Sequence, residues 1–137
     1  MKFGSLQELF DHVINFLHQQ GKPSINGLTG MCAYRAADGS KCAAGCLIPD
    51  ELFELKMEGK HWGCVVENNS ELYRLFSEDQ HRLIRGLQTL HDYHPQVPAP
   101  CPGSWGDYVW NLQNLLKDFD LQNTIPEGSW LCPPAEP

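Results

Sequence analysis

The chain has 137 residues, enough for one domain that buries a real core without disulfide or metal staples. A hydrophobic content of 42% and a charged content of 20% are ordinary for a globular protein and exclude a disordered body. The net charge of −7 repels a phosphate backbone and argues against nucleic acid as a partner, and no stretch reaches the roughly 18 apolar residues of a membrane span.

Glu8 and Asp11 interrupt the first apolar residues, so no secretory leader is read there. The expected location is the cytosol, where the six cysteines stay mostly reduced. Residues 1–125 read as one globular domain and residues 126–137 as a proline-rich tail, with Trp130 and Leu131 available to tether part of it.

In chain order, "SLQELFDHVINFLHQQG" is the clearest helix. Leu6, Leu9, Phe10, Val13, Ile14 and Leu17 fall on one face. Ser5 and Glu8 have capping-box spacing, and Gly21 with Pro23 ends the helix. "MCAYR" and "KCAAGCLI" read as two short strands around Asp38-Gly39, a pair suited to a hairpin turn. The competing reading of the second segment is helical, because of its alanines. Pro49 followed by Asp50 and Glu51 suits the start of a short helix ending at Gly59. "GCVVENN" reads as loop or strand. Ser70 caps a short helix, and Ser77 with Gln80 caps a longer one that Pro95 ends. On the longer one, Leu83, Leu87, Leu90 and His94 share a face. "PQVPAPCPG" is an extended connector. Ser104 and Asp107 open the last helix, with Trp105, Val109, Leu112, Leu116 and Phe119 as its apolar stripe. The expected fold is α+β: a single compact domain of about four helices around a small β-hairpin, which packs on the first and last helices.

The stretch "CAYRAADGSKCAAGCLIPDELF" resembles a family of short proteins of tailed phages and bacteria. Its pattern is C-x-Y-R-x-x-D-G-x-K-C-A-x-G-x-L-I-P-D-E. The likeness extends to "MEGK" at Met57–Lys60, to "LQTLHD" at Leu87–Asp92, and to a Trp-containing last helix. The family pattern carries Gly-Pro where this chain has Ala36 and Ala37. The resemblance implies a phage accessory protein, and through that setting a role against host defences. It implies no particular chemistry.

Four constellations could carry chemistry. Cys32, Cys42, Cys46, His61 and Cys64 are possible zinc ligands, but their C-x3-C and H-x2-C spacings lack the repeated close pairs of structural zinc sites. The alternative is that they fill core space as small hydrophobes. No metal and no cofactor is expected. A Cys42 nucleophile would need a depressed pKa from Arg35 or Lys41 and a base such as His61 or His91. His91, Asp92 and His94 form an acid–base or metal candidate at a helix end, where a histidine more commonly serves the helix dipole. Lastly, Tyr34, Arg35, Asp38 and Lys41 surround the turn. They offer a stacking face and a guanidinium fork for an anionic nucleotide or an acidic protein patch. The structural alternative is that Arg35 and Lys41 pair with Asp50 or Glu51.

The binding residues expected are therefore Tyr34, Arg35, Asp38, Lys41, His91 and Asp92, with no catalytic residue assigned. The expected function is a non-enzymatic counter-defence protein that binds and inhibits a host immune protein, with Trp62, Trp105, Trp110 or Trp130 as anchors. The alternatives are a pocket that sequesters a nucleotide signal, and a small hydrolase. Self-association is a further option.

Overall fold

The computed structural model describes residues 2–97 and 103–134. The connector's residues 98–102 and the last residues of the tail, 135–137, lie outside the described part. In chain order the helices are α1 (Leu6–Gln20), α2 (Trp62–Glu67), α3 (Ser70–Tyr73), α4 (Glu78–Asp92) and α5 (Trp105–Asp118).

The long helices follow the sequence signals closely. Ser5 Oγ accepts the Glu8 N–H at 3.1 Å, while the Glu8 carboxylate takes the N–H of Gly4, one residue earlier than a capping box requires. Gly21 closes α1 in the left-handed region at φ 78°, with its N–H on the Leu17 carbonyl. Ser77 and Gln80 form a complete capping box on α4. Ser104 caps α5 through the Asp107 N–H.

Helix α4 lies at the centre and packs on α1, α2 and α5. Leu83, Ile84, Leu87 and Leu90 meet Leu9, Phe10, Val13, Ile14 and Leu17 of α1 in one core. On α5 the buried stripe is Tyr108, Leu112 and Leu115, while the expected Trp105, Val109, Leu116 and Phe119 are half-buried beside it. The C-terminal segment also joins this core: Leu131 is buried, and the Trp130 indole N–H donates to the Leu17 carbonyl at 2.7 Å. No helix among the described residues is long and apolar enough to cross a membrane.

The expected α+β fold with a β-hairpin is overturned. The structure is helical and, among the described residues, has no sheet. The turn itself exists. Gly39 is left-handed at φ 89°, and Asp38 Oδ1 accepts the N–H and hydroxyl of Ser40. Between the two expected strands only one isolated bridge forms, Arg35 to Lys41, and a second joins Cys32 to Ile25 instead.

The reason lies in where the backbone groups find partners. The Glu58 carboxylate accepts the N–H groups of Tyr34 (2.8 Å) and Arg35 (3.1 Å). At the end of α1, the Gln20 amide accepts the Lys41 N–H at 2.8 Å and donates to the Lys41 carbonyl at 2.9 Å. Side chains thus supply what a strand neighbour would supply. Beyond Lys41 the chain turns helical, with Cys46 N–H on the Cys42 carbonyl and a 3₁₀ turn at Gly45–Leu47, as the alanines favour.

Two more segments differ from expectation. "GCVVENN" contributes to α2, capped by the His61 ring, whose Nδ1 accepts the Cys64 N–H. The helix expected after Pro49 is broken into 3₁₀ turns at Asp50–Leu52 and Leu55–Met57, with Phe53 and Glu54 extended between them. That extension lays Phe53 beneath the Arg35 guanidinium, 4.6 Å from ring centre to Cζ.

Gly45 is one of two glycines, with Gly103, whose backbone lies tightest against another chain segment. A Cβ at Gly45 would sit inside the van der Waals shell of the Tyr34 carbonyl oxygen, which is backbone and cannot swing away. Gly45→Ala should therefore cost about 1–3 kcal/mol in urea unfolding, the usual range for overpacking. Gly27→Ala meets open space and should stay within about 0.5 kcal/mol. Equal effects at the two positions would refute this packing account.

Candidate functional site

A cavity of about 270 Å³ opens between the Cys32–Cys42 segment, the chain entering α2, and the C-terminal end of α4. It is lined by Cys32, Tyr34, Cys42, Gln88 and Asp92, with Met31, Gly59, Lys60, His61 and Tyr93 around them. Concave sites of this kind, with a few convergent polar groups, are where small ligands bind.

One amide organises its wall. Gln88 Oε1 accepts the Trp62 N–H at 2.7 Å, and Gln88 Nε2 donates to the Tyr34 hydroxyl at 2.5 Å. The Tyr34 hydroxyl in turn donates to the Lys60 carbonyl at 2.6 Å. Tyr34, Trp62 and Gln88 are all buried, so each bond replaces water that cannot reach them. The network ties the turn segment and the start of α2 to one face of α4.

Beside this wall sit two thiols and a carboxylate. Cys32, Cys42 and Asp92 line the cavity together, and the Cys32 thiol interacts with both of the others. The Cys42 contact and burial together push Cys32 far above the ordinary thiol range. A thiol held protonated is a poor nucleophile. Burial raises the Asp92 carboxyl to about 6, with the Cys32 thiol opposing that shift. Among the described residues no N–H or O–H group donates to the Asp92 carboxylate; its polar neighbour is the Cys32 sulfur.

The residues singled out in the sequence fall in different places. Tyr34 and Asp92 face the cavity together. Arg35 and Lys41 do not. The Arg35 guanidinium donates to the Ile48 carbonyl at 2.7 Å and pairs with Asp50 at 2.8 Å, and the Lys41 ammonium approaches the same Asp50 carboxylate at 3.8 Å. Asp38 builds the turn and pairs with Lys22.

His91 points away from the cavity into the core, with its Nε2 unpartnered and its ring 6.3 Å from Trp130. His94 is buried among Trp105, Tyr108 and Trp130, at ring distances of 4.9, 4.9 and 5.0 Å. Its Nδ1 accepts the Gln96 N–H, so its Nε2–H donates to the Trp130 carbonyl.

Of the candidate zinc ligands, Cys32, Cys42 and His61 line the cavity, while Cys46 donates to the Ala43 carbonyl and the His61 Nδ1 accepts the Cys64 N–H. Among the described residues no group of three or more His, Cys, Asp or Glu side chains is placed to hold a metal ion. Of the four tryptophans, Trp62 is buried, Trp105 and Trp130 are half-buried, and Trp110 is exposed.

Sequence reasoning passed over Cys32 as a cavity residue, and Glu58 and Gln88 as organisers. Their signal was present in "MEGK" and "LQTLHD", which supply Glu58, Gly59, Lys60, Gln88 and Asp92. Compared with known proteins, the chain matches no family model, no curated protein and no solved structure.

The titrating groups give an opposed pH dependence. Burial lowers His91 to about 3, with the nearby His94 adding to it, and burial lowers His94 to about 4. Between about pH 6.5 and 4 the unfolded chain takes up two imidazole protons that the folded chain refuses, so these groups lose stability as pH falls. Asp92 acts the other way. Between its raised value of about 6 and the ordinary 3.8, the folded state takes up a proton that the unfolded state does not. Two against one leaves a net loss of about 1.4 kcal/mol per pH unit on acidification from pH 6 to 4. Asp92→Asn should gain about 2–3 kcal/mol at pH 7 and about double that acid slope. Urea unfolding across pH 4–7 checks both, and a variant less stable than wild type at pH 7 would contradict the buried-charge account.

Proposed function

We propose that this chain is a non-enzymatic binding protein that captures a small ligand in the Cys32–Tyr34–Gln88–Asp92 cavity. The observation that carries this is the Asp92 carboxylate itself: half-buried in an open-mouthed cavity, with no N–H or O–H donor to it among the described residues. Burying a carboxylate without a strong donor costs stability, and such a cost is commonly tolerated where a site is used. A second support is that the three segments quoted for the family resemblance, around Cys32–Cys42, Met57–Lys60 and Leu87–Asp92, converge on this one cavity. In the counter-defence setting which that resemblance implies, the protein would work in the cytosol of a host cell by withdrawing a signal molecule.

The nucleotide version of this reading changes shape. With Arg35 and Lys41 held on Asp50, any phosphate would be left to Lys60 and His61 at the exposed rim, while the other end of the ligand enters the cavity. Binding is favoured over catalysis by the Cys32 thiol because that thiol is held protonated. Asp92 near 6 is still suited to proton transfer, which keeps a small hydrolase as an outcome of the test.

A second reading is a host defence protein bound and inhibited at the same mouth. It is favoured by exposed apolar surface there: Met31 is 44% and Tyr93 50% exposed, and Leu28, three residues before Met31, is 98% exposed. Large exposed side chains at a rim suit a protein partner.

Native mass spectrometry of the purified chain, incubated in parallel with the small-molecule and the protein fractions of a bacterial extract, separates these readings. The expected result is a one-to-one adduct that Cys32→Leu, which fills the cavity, abolishes. An adduct that survives Cys32→Leu would place the site elsewhere. Capture of one bacterial protein, lost in Tyr93→Ala, with no adduct, would favour the inhibitor. Turnover of compounds in the extract, lost in Asp92→Asn, would favour the hydrolase.

A further inference from the structure

The cavity constrains the chemistry of what enters it. The inner polar groups other than Asp92 each already have a partner. The Gln88 oxygen accepts from Trp62, one N–H of its amide donates to Tyr34, and the Tyr34 hydroxyl donates to Lys60. Cys32 and Cys42 line the cavity and present polarizable sulfur. The carboxylate of Asp92 offers two acceptor oxygens with no N–H or O–H donor among the described residues. The nearest basic side chains lining the cavity, Lys60 and His61, are exposed at its rim. An anionic group pushed inward would meet a carboxylate in a chain whose net charge is −7.

Resting on the pocket reading above, we propose that the ligand group seated in this cavity is a planar cation with two parallel N–H donors, an amidinium or a guanidinium, held in a fork on Asp92. Each part of the lining fits that chemistry. A carboxylate accepts such a group through two parallel charge-assisted bonds. A flat, weakly hydrated cation loses less on leaving water than a compact ammonium does. The half-exposed Tyr93 ring at the mouth is a surface for cation–π contact. The cavity, about 270 Å³, admits a group of this size and leaves the remainder of the ligand outside.

A series of three isosteric probes tests this on the full chain: benzamidine, benzamide and benzoate share one shape and differ in charge. Two-dimensional NMR follows the amide signals of Cys32, Gln88 and Asp92. Benzamidine should bind at least about tenfold more tightly than benzamide, benzoate should leave those signals unmoved, and Asp92→Asn should weaken benzamidine by about tenfold or more, as expected on losing a charge-assisted pair. Benzamide or benzoate binding as well as benzamidine, with the same signals moving, would overturn the cationic assignment and leave the pocket reading standing. So would benzamidine binding unaltered by Asp92→Asn. If none of the probes moves these signals, both fail. Methylguanidine and a capped Gly-Arg-Gly peptide, added in parallel, assign the source: tighter peptide binding supports the cation as a partner's arginine, and equal or weaker binding supports it as a free small molecule.

Discussion

The buried amide of Gln88 is the interaction on which the rest depends. It stands on the central helix α4 and bonds two chain segments to it, the second also held there by the Trp62 indole N–H on the His81 ring. The Tyr34 hydroxyl fixes the turn segment, and the Trp62 N–H fixes the start of α2. Neither segment forms a sheet or a long helix of its own. Without a polar group at position 88, the buried Trp62 N–H would lose its partner, at about 1–3 kcal/mol, and the Tyr34 hydroxyl would keep only its bond to the Lys60 carbonyl. Because Gln88 satisfies both, the cavity keeps a fixed wall and Asp92, one turn further along α4, faces into it.

The same logic explains how a domain this size holds a long irregular stretch between α1 and α2. From Ser24 to Gly59 the chain is turns, isolated bridges and 3₁₀ pieces. Its order comes from side chains that mimic backbone partners: Glu58 for Tyr34 and Arg35, Gln20 for Lys41, and Asn26 for the turn at Leu28 and Thr29. Arg35 belongs to this scaffold. It rests over Phe53 and reaches Ile48 and Asp50, and so tethers the turn to the segment that follows it.

The helices were legible in the sequence because their signals are local. The apolar spacing and caps of α1, α4 and α5 lie within a few residues of the elements they set. The strands were misread for the opposite reason. Asp38-Gly39 does make a turn, but whether a turn grows into a hairpin depends on who satisfies the flanking backbone, and Gln20 and Glu58 are distant in sequence. Helix α2 was missed because its cap is a histidine and its Val-Val pair favours strand. In the cavity, Tyr34 was legible as an aromatic in a dense motif. Arg35 and Lys41 drew attention for their charge, yet Asp50 absorbs both. Gln88 could not be singled out, since an amide on an amphipathic helix looks like surface until tertiary packing buries it.

A double-mutant cycle on Tyr34→Phe and Gln88→Met, read by urea unfolding, tests most directly whether this amide joins the turn segment to α4. Coupling of about 1 kcal/mol or more is the predicted result, within the range for side chains sharing one buried network. Additivity within about 0.3 kcal/mol would contradict it: the two residues would then act independently, and the cavity wall would be held by apolar packing alone.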